Sequence, residues 1–351
     1  MARSPEEDSR NIIIVGAGGI VRDAHLPAYR KAGFRVAGIY DIDQPKAATL
    51  AAEYGIPVVY NSMSELKGAS KNAVFDLATP PDAFTQLISC FAEGAAVLLQ
   101  KPMGRTLAEA RAILMACRAK KLTAAVNFQL RFAPAIVRAR QMIEQGEIGE
   151  LHDMEVRVTA YTPWHLWTFL ESAPRLEILY HSIHYVDLIR SFLGNPTRVY
   201  ARTVKHPAAS NLAPTRTNII MDYGDLVRAN ITTNHGHAYG QKHQESYVKW
   251  EGTRGAIKVG LGVLLDYPKG RPDTFEFAIL DTGKEPEWKA ETVAGNWFPD
   301  AFIGSMTSLL DFVARKTATL PTAVDDAVET MAVVESAYES SDRGGVPVLY
   351  V

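Results

Sequence analysis

Short apolar runs alternate with segments of helix length through the first third of the chain. The runs are three to five residues long and fall at 12–15, 36–40, 58–60, 74–78, 95–99 and 122–126. The segments between them carry helix start signals, such as Thr106 and Glu109, which are spaced as a capping box. This alternation predicts βαβ units, and therefore an α/β domain with a doubly wound parallel sheet covered on both faces.

The pattern changes after Phe128. Longer strand-like runs follow at 151–161, 198–204, 218–222, 226–234, 246–251 and 256–259. In one of them Val227, Ala229 and Ile231 alternate with polar neighbours, which is typical of an antiparallel sheet with one covered face.

We therefore predict a first domain over 1–130 and an α+β second domain over 131–351 with a large, mostly antiparallel sheet. The final segment, 324–340, has a helical pattern, and packing of this helix back on the first domain stays open. No flexible linker separates the two domains in the sequence, so we expect them to share a cleft.

Charge and composition exclude several classes of protein. The chain has 37 Lys and Arg against 39 Asp and Glu, a net charge of −2, whereas nucleic-acid binding normally needs a basic surplus. No apolar run reaches the roughly 18 residues of a membrane span. The two cysteines lack the spacing of a disulfide framework or zinc site. We expect a cytoplasmic protein whose partner is a small molecule, neither nucleic acid nor membrane.

A glycine-rich run, Gly-Ala-Gly-Gly-Ile-Val from residue 16, joins the first predicted strand to a helical pattern. Glycines here let the backbone turn sharply and approach a pyrophosphate, toward which the helix directs its N-terminal amides. Val21 replaces the third glycine of the usual pattern, and a tight turn without a ligand is the alternative. The residues predicted to bind a dinucleotide in this Rossmann domain are Gly16, Gly18, Gly19 and Ile20.

Asp41 follows the second predicted strand, 23 residues after Gly18, near the usual spacing of about 20. A carboxylate there accepts hydrogen bonds from both ribose hydroxyls and repels a 2′-phosphate, which favours NAD over NADP. The alternative is a helix N-cap, because 41–45 also has the pattern of a helix start, with Asp43 as a second capping candidate.

Lys101 stands in a Gln-Lys-Pro motif directly after the apolar run 95–99. Open α/β sheets bind ligands at the carboxyl ends of their strands, and an ammonium there can polarise a substrate hydroxyl. The alternative is an exposed loop lysine without a catalytic role.

Taken together, these motifs resemble, in order and spacing, the glucose-fructose oxidoreductase / inositol dehydrogenase / MocA family. The matching segments are the glycine run at 16–19, 25–28, Asp41, 79–81, 100–102, 127–131 and 146–149. The resemblance implies a Rossmann domain, a C-terminal domain with a large sheet, and NAD(P)-linked redox chemistry at a sugar or polyol carbon. It also implies a homodimer or homotetramer formed through the C-terminal sheet. The family's usual Glu-Lys-Pro motif differs here, because Gln100 replaces its glutamate.

The resemblance implies further site residues in the first domain. It adds Thr79, Pro80, Gln100 and Lys101 to the cofactor-binding residues. It also makes Lys101 a strong catalytic candidate, and Asn127 and Arg131 candidates for binding substrate.

A histidine-containing segment, 177–187, is the second candidate for chemistry. The family's active-site helix resembles Asp-x-x-x-His-x-x-Asp, which places its histidine at His184 and its last acid at Asp187. Tyr180 stands where the leading aspartate is expected, so the catalytic set is Lys101, His184 and Tyr180. His181, one position along, is a further titratable group that can compensate for the missing aspartate.

Other interpretations of this helix stay open. A metal site is one, although no ligand beyond the histidines and Asp187 is evident, so we predict none. Buried, hydrogen-bonded core histidines are another, and Asp187 is better explained by an orienting or capping role.

The remaining candidates for substrate contacts lie elsewhere in the second domain. Aromatic faces stack on sugar rings, which suggests Trp164 in a patch with His165 and Trp167. His235 and His237 have the spacing of one strand face and can hydrogen-bond hydroxyls. Core packing of the tryptophans and a solvated sheet face are the alternatives. The full set predicted to bind substrate is Lys101, Asn127, Arg131, Trp164, His181, His184 and His235.

Three functions fit these residues. The first is an NAD-dependent dehydrogenase acting on a sugar or polyol, with Lys101 and His184 handling the hydroxyl proton. The second is a non-catalytic regulator that binds NAD and a sugar, as in the galactose-pathway repressor that the family also resembles. The third is an enzyme that uses tightly held NAD for transient oxidation during elimination or glycoside cleavage.

Overall fold

The computed structural model describes residues 11–69, 73–166, 170–267 and 269–347. Strands are numbered in chain order: β1 (Asn11–Val15), β2 (Val36–Tyr40), β3 (Ala73–Leu77), β4 (Ala96–Leu99), β5 (Thr123–Val126), β6 (Leu151–Thr159), β7 (Arg198–Val204), β8 (Arg216–Asp222), β9 (Arg228–Asn234), β10 (Glu245–Gly252), β11 (Gly255–Gly260), β12 (Thr274–Ile279) and β13 (Lys289–Glu291). The α-helices are α1 (Leu26–Ala32), α2 (Gln44–Tyr54), α3 (Met63–Gly68), α4 (Phe84–Cys90), α5 (Leu107–Ala119), α6 (Pro134–Glu144), α7 (Ile183–Leu193), α8 (Asp300–Val313) and α9 (Val324–Arg343).

The chain divides into two compact units. The first comprises Met1–Ala133 with Phe298–Met331, and the second comprises Pro134–Trp297 with Ala332–Val351. The predicted boundary after residue 130 did not include the return of 298–331 to the first unit. That return has a physical cause in α8, whose apolar residues are buried in the core of the first unit.

The first unit contains a five-stranded parallel sheet in the order β2-β1-β3-β4-β5. Its strands are short and apolar on both faces, and β3 and β4 are buried throughout. This confirms the predicted doubly wound α/β domain. The predicted strand at 58–60 is wrong, because Val59 forms only an isolated parallel bridge with Ile39. Pro57 before it lacks an amide donor for a sheet ladder.

The second unit contains an eight-stranded sheet in the order β13-β12-β11-β10-β6-β9-β8-β7. All neighbouring strands are antiparallel except β6 and β9, which run parallel. One face is buried, as the period-2 pattern predicts: Val156, Ile231 and Trp250 are fully buried, whereas alternate residues are partly exposed. This confirms the predicted large, mostly antiparallel sheet.

Within the described residues, no helix has the length and apolar character needed to cross a membrane.

Candidate active site

The carboxyl ends of the parallel strands bring the first unit's candidates to one edge. Gly16 follows β1, Asp41 follows β2, Gln100 follows β4 and Asn127 follows β5. Thr79 lies just beyond β3, which pairs in register with β1 from Asn11 and Ala73 onward. Open parallel sheets bind ligands at the edge where their strands have their carboxyl ends. The chain order alone therefore places these candidates at the ligand-binding edge.

The three glycines of the loop differ in how much space surrounds their Cα atoms. Gly16 has a φ of 112°, and a Cβ on it would lie 2.5 Å from the carbonyl oxygen of Ala78, so the fold itself requires glycine there. A Cβ on Gly18 would meet nothing within 4 Å, and one on Gly19 would meet only Asp23, at 3.8 Å. The chain leaves open space beside Gly18 and Gly19, as the close approach of a pyrophosphate requires.

The loop leads into a helix that begins with a π-helical segment, Val21–His25, and continues as α1. The first amides of a helix lack partners within it and carry its positive dipole end, so the loop and helix together suit an anion. The residues present therefore fit the diphosphate of a dinucleotide.

Asp41 binds the glycine loop and does not cap the helix that follows. Its Oδ2 accepts a hydrogen bond of 2.5 Å from the amide of Ala17, and its Oδ1 accepts one of 2.7 Å from the amide of Asp43. The N-cap of α2 is Asp43, whose side chain accepts from the amide of Lys46. The capping interpretation of Asp41 is therefore wrong, and its carboxylate is held beside the loop.

The other edge candidates differ in accessibility. Thr79 is partly buried, and its Oγ1 has no hydrogen-bond partner within the described chain, while Pro80 is exposed and precedes a single 3₁₀ turn. Asn127 is only 1% exposed. Arg131 donates to Asp326 at 2.7 Å and to the carbonyl of Pro321 at 2.8 Å, contacts that account for it without a substrate.

A buried hydrogen-bond network lies behind the lysine motif. Asp76 Oδ2 is 2.6 Å from His25 Nδ1 and accepts a hydrogen bond of 2.7 Å from the hydroxyl of Tyr29. Gln100 Nε2 lies 3.1 Å from His25 Nε2, and Gln100 Oε1 accepts from the amide of Lys101 at 2.8 Å. His25, Tyr29 and Asp76 are fully buried. Sequence reasoning singled out Gln100 and Lys101 here but missed the roles of Tyr29 and Asp76.

Lys101 lies half-buried at the end of this network, before a cis peptide bond to Pro102. Burial lowers the pKa of Lys101 from its ordinary 10.5 to about 8, because an apolar environment disfavours the ammonium. A lysine with such a pKa can bind a substrate hydroxyl as an ammonium and exchange a proton near neutral pH.

The histidine helix of the second unit also begins with a π-helical segment, Ile178–Ser182, and continues as α7. Tyr180 and His181 in the π-helical segment are partly exposed, whereas His184 and Asp187 in α7 are buried. The His184 ring makes an edge contact with Trp297 at 5.8 Å between centroids. The π-helical winding changes the alignment of residues four apart, so the faces predicted from a regular α-helix do not carry over unchanged.

A second network in this unit centres on Glu177, which sequence reasoning did not select. Its buried Oε1 accepts a hydrogen bond of 2.7 Å from Ser182 and lies 3.5 Å from His235 Nε2. On its other side His235 contacts the hydroxyl of Thr162, 2.8 Å from Nδ1. A carboxylate therefore does lie near this helix, one turn before Tyr180.

Aromatic rings gather around the same histidine. The centroid of His235 is 4.5 Å from that of His181 and 5.6 Å from that of Trp164, and Trp164 is 5.0 Å from His181. Trp164, His181 and His235 thus form one cluster. The prediction that His235 and His237 share one strand face is wrong, because both residues lie beyond the end of β9. His237 is not part of this cluster, and its Nε2 contacts the carbonyl oxygen of Lys242. Trp167 lies outside the described residues.

Known proteins resemble the chain over both units. The family described as an oxidoreductase family with an NAD-binding Rossmann fold matches residues 10–128, and the GFO/IDH/MocA C-terminal domain matches 136–258. The chain is 26% identical to a 1,5-anhydro-D-fructose reductase of Ensifer adhaerens, over 73% of this chain and 77% of that protein. It is 22% identical to a D-apiose dehydrogenase of Rhizobium rhizogenes, over 89% of each.

A levoglucosan dehydrogenase solved with NADH and levoglucosan has the same fold. Its TM-score is 0.78 at 19% identity, with 95% of this chain and 97% of that chain covered. Since the two family matches together cover more than half of the chain, the chain belongs to the GFO/IDH/MocA family of NAD-binding oxidoreductases.

Proposed function

We propose that this protein is an NAD-dependent dehydrogenase that oxidises a hydroxyl-bearing carbon of a sugar or polyol. The observation that carries the proposal is Lys101, half-buried at the ligand-binding edge of the parallel sheet, with its pKa lowered to about 8. NAD, when bound, would supply the redox chemistry as the acceptor of a hydride from that carbon. The protein residues orient the hydroxyl and move its proton.

Lys101 and the histidine helix divide the proton chemistry in this proposal. The ammonium of Lys101 stabilises the oxygen as its proton leaves. His184 is the acid/base group, and Tyr180 supplies a hydrogen bond at the position where the family resemblance implies an aspartate. His181, the partly exposed member of the cluster, offers a ring and an imidazole nitrogen to the C–H face and hydroxyls of a sugar, while the buried Trp164 and His235 hold that ring in place from behind.

Asp41 favours NAD over NADP. Its carboxylate is fixed by the amides of Ala17 and Asp43, so it cannot turn away from a 2′-phosphate without breaking both hydrogen bonds. The like charges would repel by several kcal/mol in a partly dry pocket. Titration of nicotinamide fluorescence should show tighter binding of NADH than of NADPH, and the reverse order would contradict this assignment.

The space beside Gly18 offers a test of where the diphosphate binds. Gly18→Ala adds a methyl group where the chain itself has room, so the fold should persist while NADH binding weakens by about tenfold or more. Gly68→Ala is the matched control, because its Cβ also meets nothing within 4 Å and it lies at the end of α3. Equal NADH affinities in the two variants would mean that the diphosphate does not bind at this loop.

A screen of NAD reduction over polyols, aldoses, glycosides and sugar acids tests the activity directly. Turnover with at least one of these classes, lost in Lys101→Ala, is the expected result. Saturable sugar binding without turnover would favour the regulator. Product formation without exchange of bound cofactor with free NAD would favour transient oxidation.

We also propose a homodimer or homotetramer formed through the outer face of the eight-stranded sheet. Tyr200 and Ile220 are register partners on β7 and β8, and each is 52% exposed. Light scattering should give two or four chains per particle. Ile220→Glu should reduce that number, whereas Leu226→Glu, an exposed leucine outside the strands, should not. A monomeric wild type would contradict the proposal.

A further inference from the structure

The buried network behind Lys101 has a definite pattern of donors and acceptors. We propose that Gln100 is a positioning residue that keeps the proton of His25 on Nδ1 and holds the peptide of Lys101 by an uncharged hydrogen bond. The catalytic part of this inference rests on the proposed function, and the hydrogen-bond part does not.

The orientation of the Gln100 amide follows from its neighbour. The backbone amide of Lys101 is a donor, so the atom 2.8 Å from it must be the oxygen, Gln100 Oε1. The Gln100 nitrogen then faces His25 Nε2 at 3.1 Å. Because an amide nitrogen only donates, His25 Nε2 must accept.

The tautomer of His25 follows from that acceptor. With Nε2 bare, the ring proton is on Nδ1, which lies 2.6 Å from Asp76 Oδ2 and donates to it. Tyr29 donates to the same oxygen at 2.7 Å. Each contact pairs a donor with an acceptor, and the chain of hydrogen bonds runs from Tyr29 to the peptide of Lys101.

The groups around His25 have opposite effects on whether its ring takes up a second proton. Asp76 on β3 favours a positive ring, and Tyr29 on α1 adds no charge. Phe302 on α8 packs at 4.8 Å between ring centroids and offers no acceptor. The Gln100 nitrogen opposes a proton on Nε2 directly, since two donors would then face each other. A flipped amide would create the same conflict at the amide of Lys101.

A carboxylate at position 100 would remove the conflict. Its two oxygens accept from the amide of Lys101 and from a protonated His25 Nε2 together, so Gln100→Glu should convert the ring to an imidazolium between two carboxylates. The same change puts a carboxylate against the backbone amide of Lys101, whereas the positive charge on His25 lies beyond that carboxylate. An opposite charge favours the ammonium, so the pKa of Lys101 should rise from about 8.

NMR of the ring nitrogens of ¹⁵N-histidine-labelled full-length protein at neutral pH tests the first part. Wild type should show one His25 signal with Nδ1 protonated and Nε2 bare, assigned by its loss in His25→Asn. In Gln100→Glu both nitrogens should be protonated. A doubly protonated or Nε2-protonated His25 in wild type would overturn the proposal, whether or not any substrate is found.

The pH–rate profile tests the effect on Lys101. The alkaline limb of kcat should move up by about one pH unit in Gln100→Glu, with KM for NAD little changed. One pH unit above the wild-type limb, that variant should keep about five times more of its maximal rate than wild type keeps. Gln86→Glu, the same charge change at an exposed position of α4, should move neither readout. An unmoved limb in a variant whose His25 is doubly protonated would contradict the link from Gln100 to Lys101.

Discussion

The two units build their candidate sites in different ways. In the first unit, Gly16, Asp41 and Gln100 follow β1, β2 and β4 of one parallel sheet, so chain connectivity alone brings them to one edge. In the second unit, Thr162, Glu177 and His235 come from separate segments up to 73 residues apart and meet through side-chain contacts. A site at strand ends can be predicted from local sequence, whereas a site built by side-chain packing needs the tertiary structure.

A π-helical segment is nonetheless common to both sites. Val21–His25 follows the glycine loop, and Ile178–Ser182 opens the histidine helix. Such segments are rare and occur often at functional sites, because the extra residue re-aims neighbouring side chains. Here one of them supplies His25 to the network behind Lys101, and the other supplies Ser182 to the carboxylate of Glu177.

Loss of the Lys101 ammonium should have the largest effect on turnover. Lys101→Ala should reduce kcat by about 10² to 10⁴ fold, the scale of proton-transfer assistance, while the dissociation constant for NADH changes far less. Steady-state kinetics and NADH fluorescence titration measure the two quantities. Lys31→Ala, which removes an exposed lysine paired with Asp300, is the control and should retain turnover. Near-normal kcat in Lys101→Ala would make Lys101 an ordinary loop lysine.

The histidine helix offers the next contrast, between His184 and Tyr180. His184→Ala should lower kcat by about 10² fold or more, because an imidazole titrates near working pH and suits the transfer of the hydroxyl proton. Tyr180→Phe keeps the ring and removes one hydroxyl, so its loss should be about tenfold, as for one hydrogen bond. The pH–rate profiles of the two variants separate the roles. A larger loss in Tyr180→Phe would assign the base to the tyrosine.

The limits of sequence reasoning are clear at particular residues. Asp41 was predictable as a loop-facing carboxylate from its position after β2, although its competing role as a cap was resolved only by the contact of Asp43 with Lys46. Gln100 was noticed as a departure, but its partner His25 lies 75 residues earlier. Glu177 gave one usable signal, its position four residues before His181, which a regular helix would place on the same face.

Stability measurements probe the side-chain network of the second unit. Ser182→Ala removes the hydroxyl that donates to the buried Glu177, so the free energy of unfolding should fall by about 1 to 3 kcal/mol. Urea denaturation measures the change. Ser89→Ala is the control, since its hydroxyl is exposed and donates to the backbone carbonyl of Gln86, and its effect should stay within about 0.5 kcal/mol. Equal effects would mean that the Glu177 contact contributes no more than a surface hydrogen bond.

Replacement of Lys101 gives the smallest predicted change in the free energy of unfolding, and its sign is opposite to that of Ser182→Ala. Because burial lowers its pKa in the folded state to about 8 from an ordinary 10.5, the ammonium costs stability at every pH below about 8. The cost declines as pH rises from 8 to 10.5 and vanishes where the lysine is neutral in both states. Lys101→Met should therefore raise the free energy of unfolding at pH 7 by about 1 kcal/mol while lowering turnover as Lys101→Ala does, a trade of stability for activity. Denaturation of this variant and of Lys31→Met across that pH range measures the difference. A destabilised Lys101→Met, or a gain that persists above pH 10.5, would mean that the edge of the parallel sheet accommodates the ammonium without cost and that its low pKa has another origin.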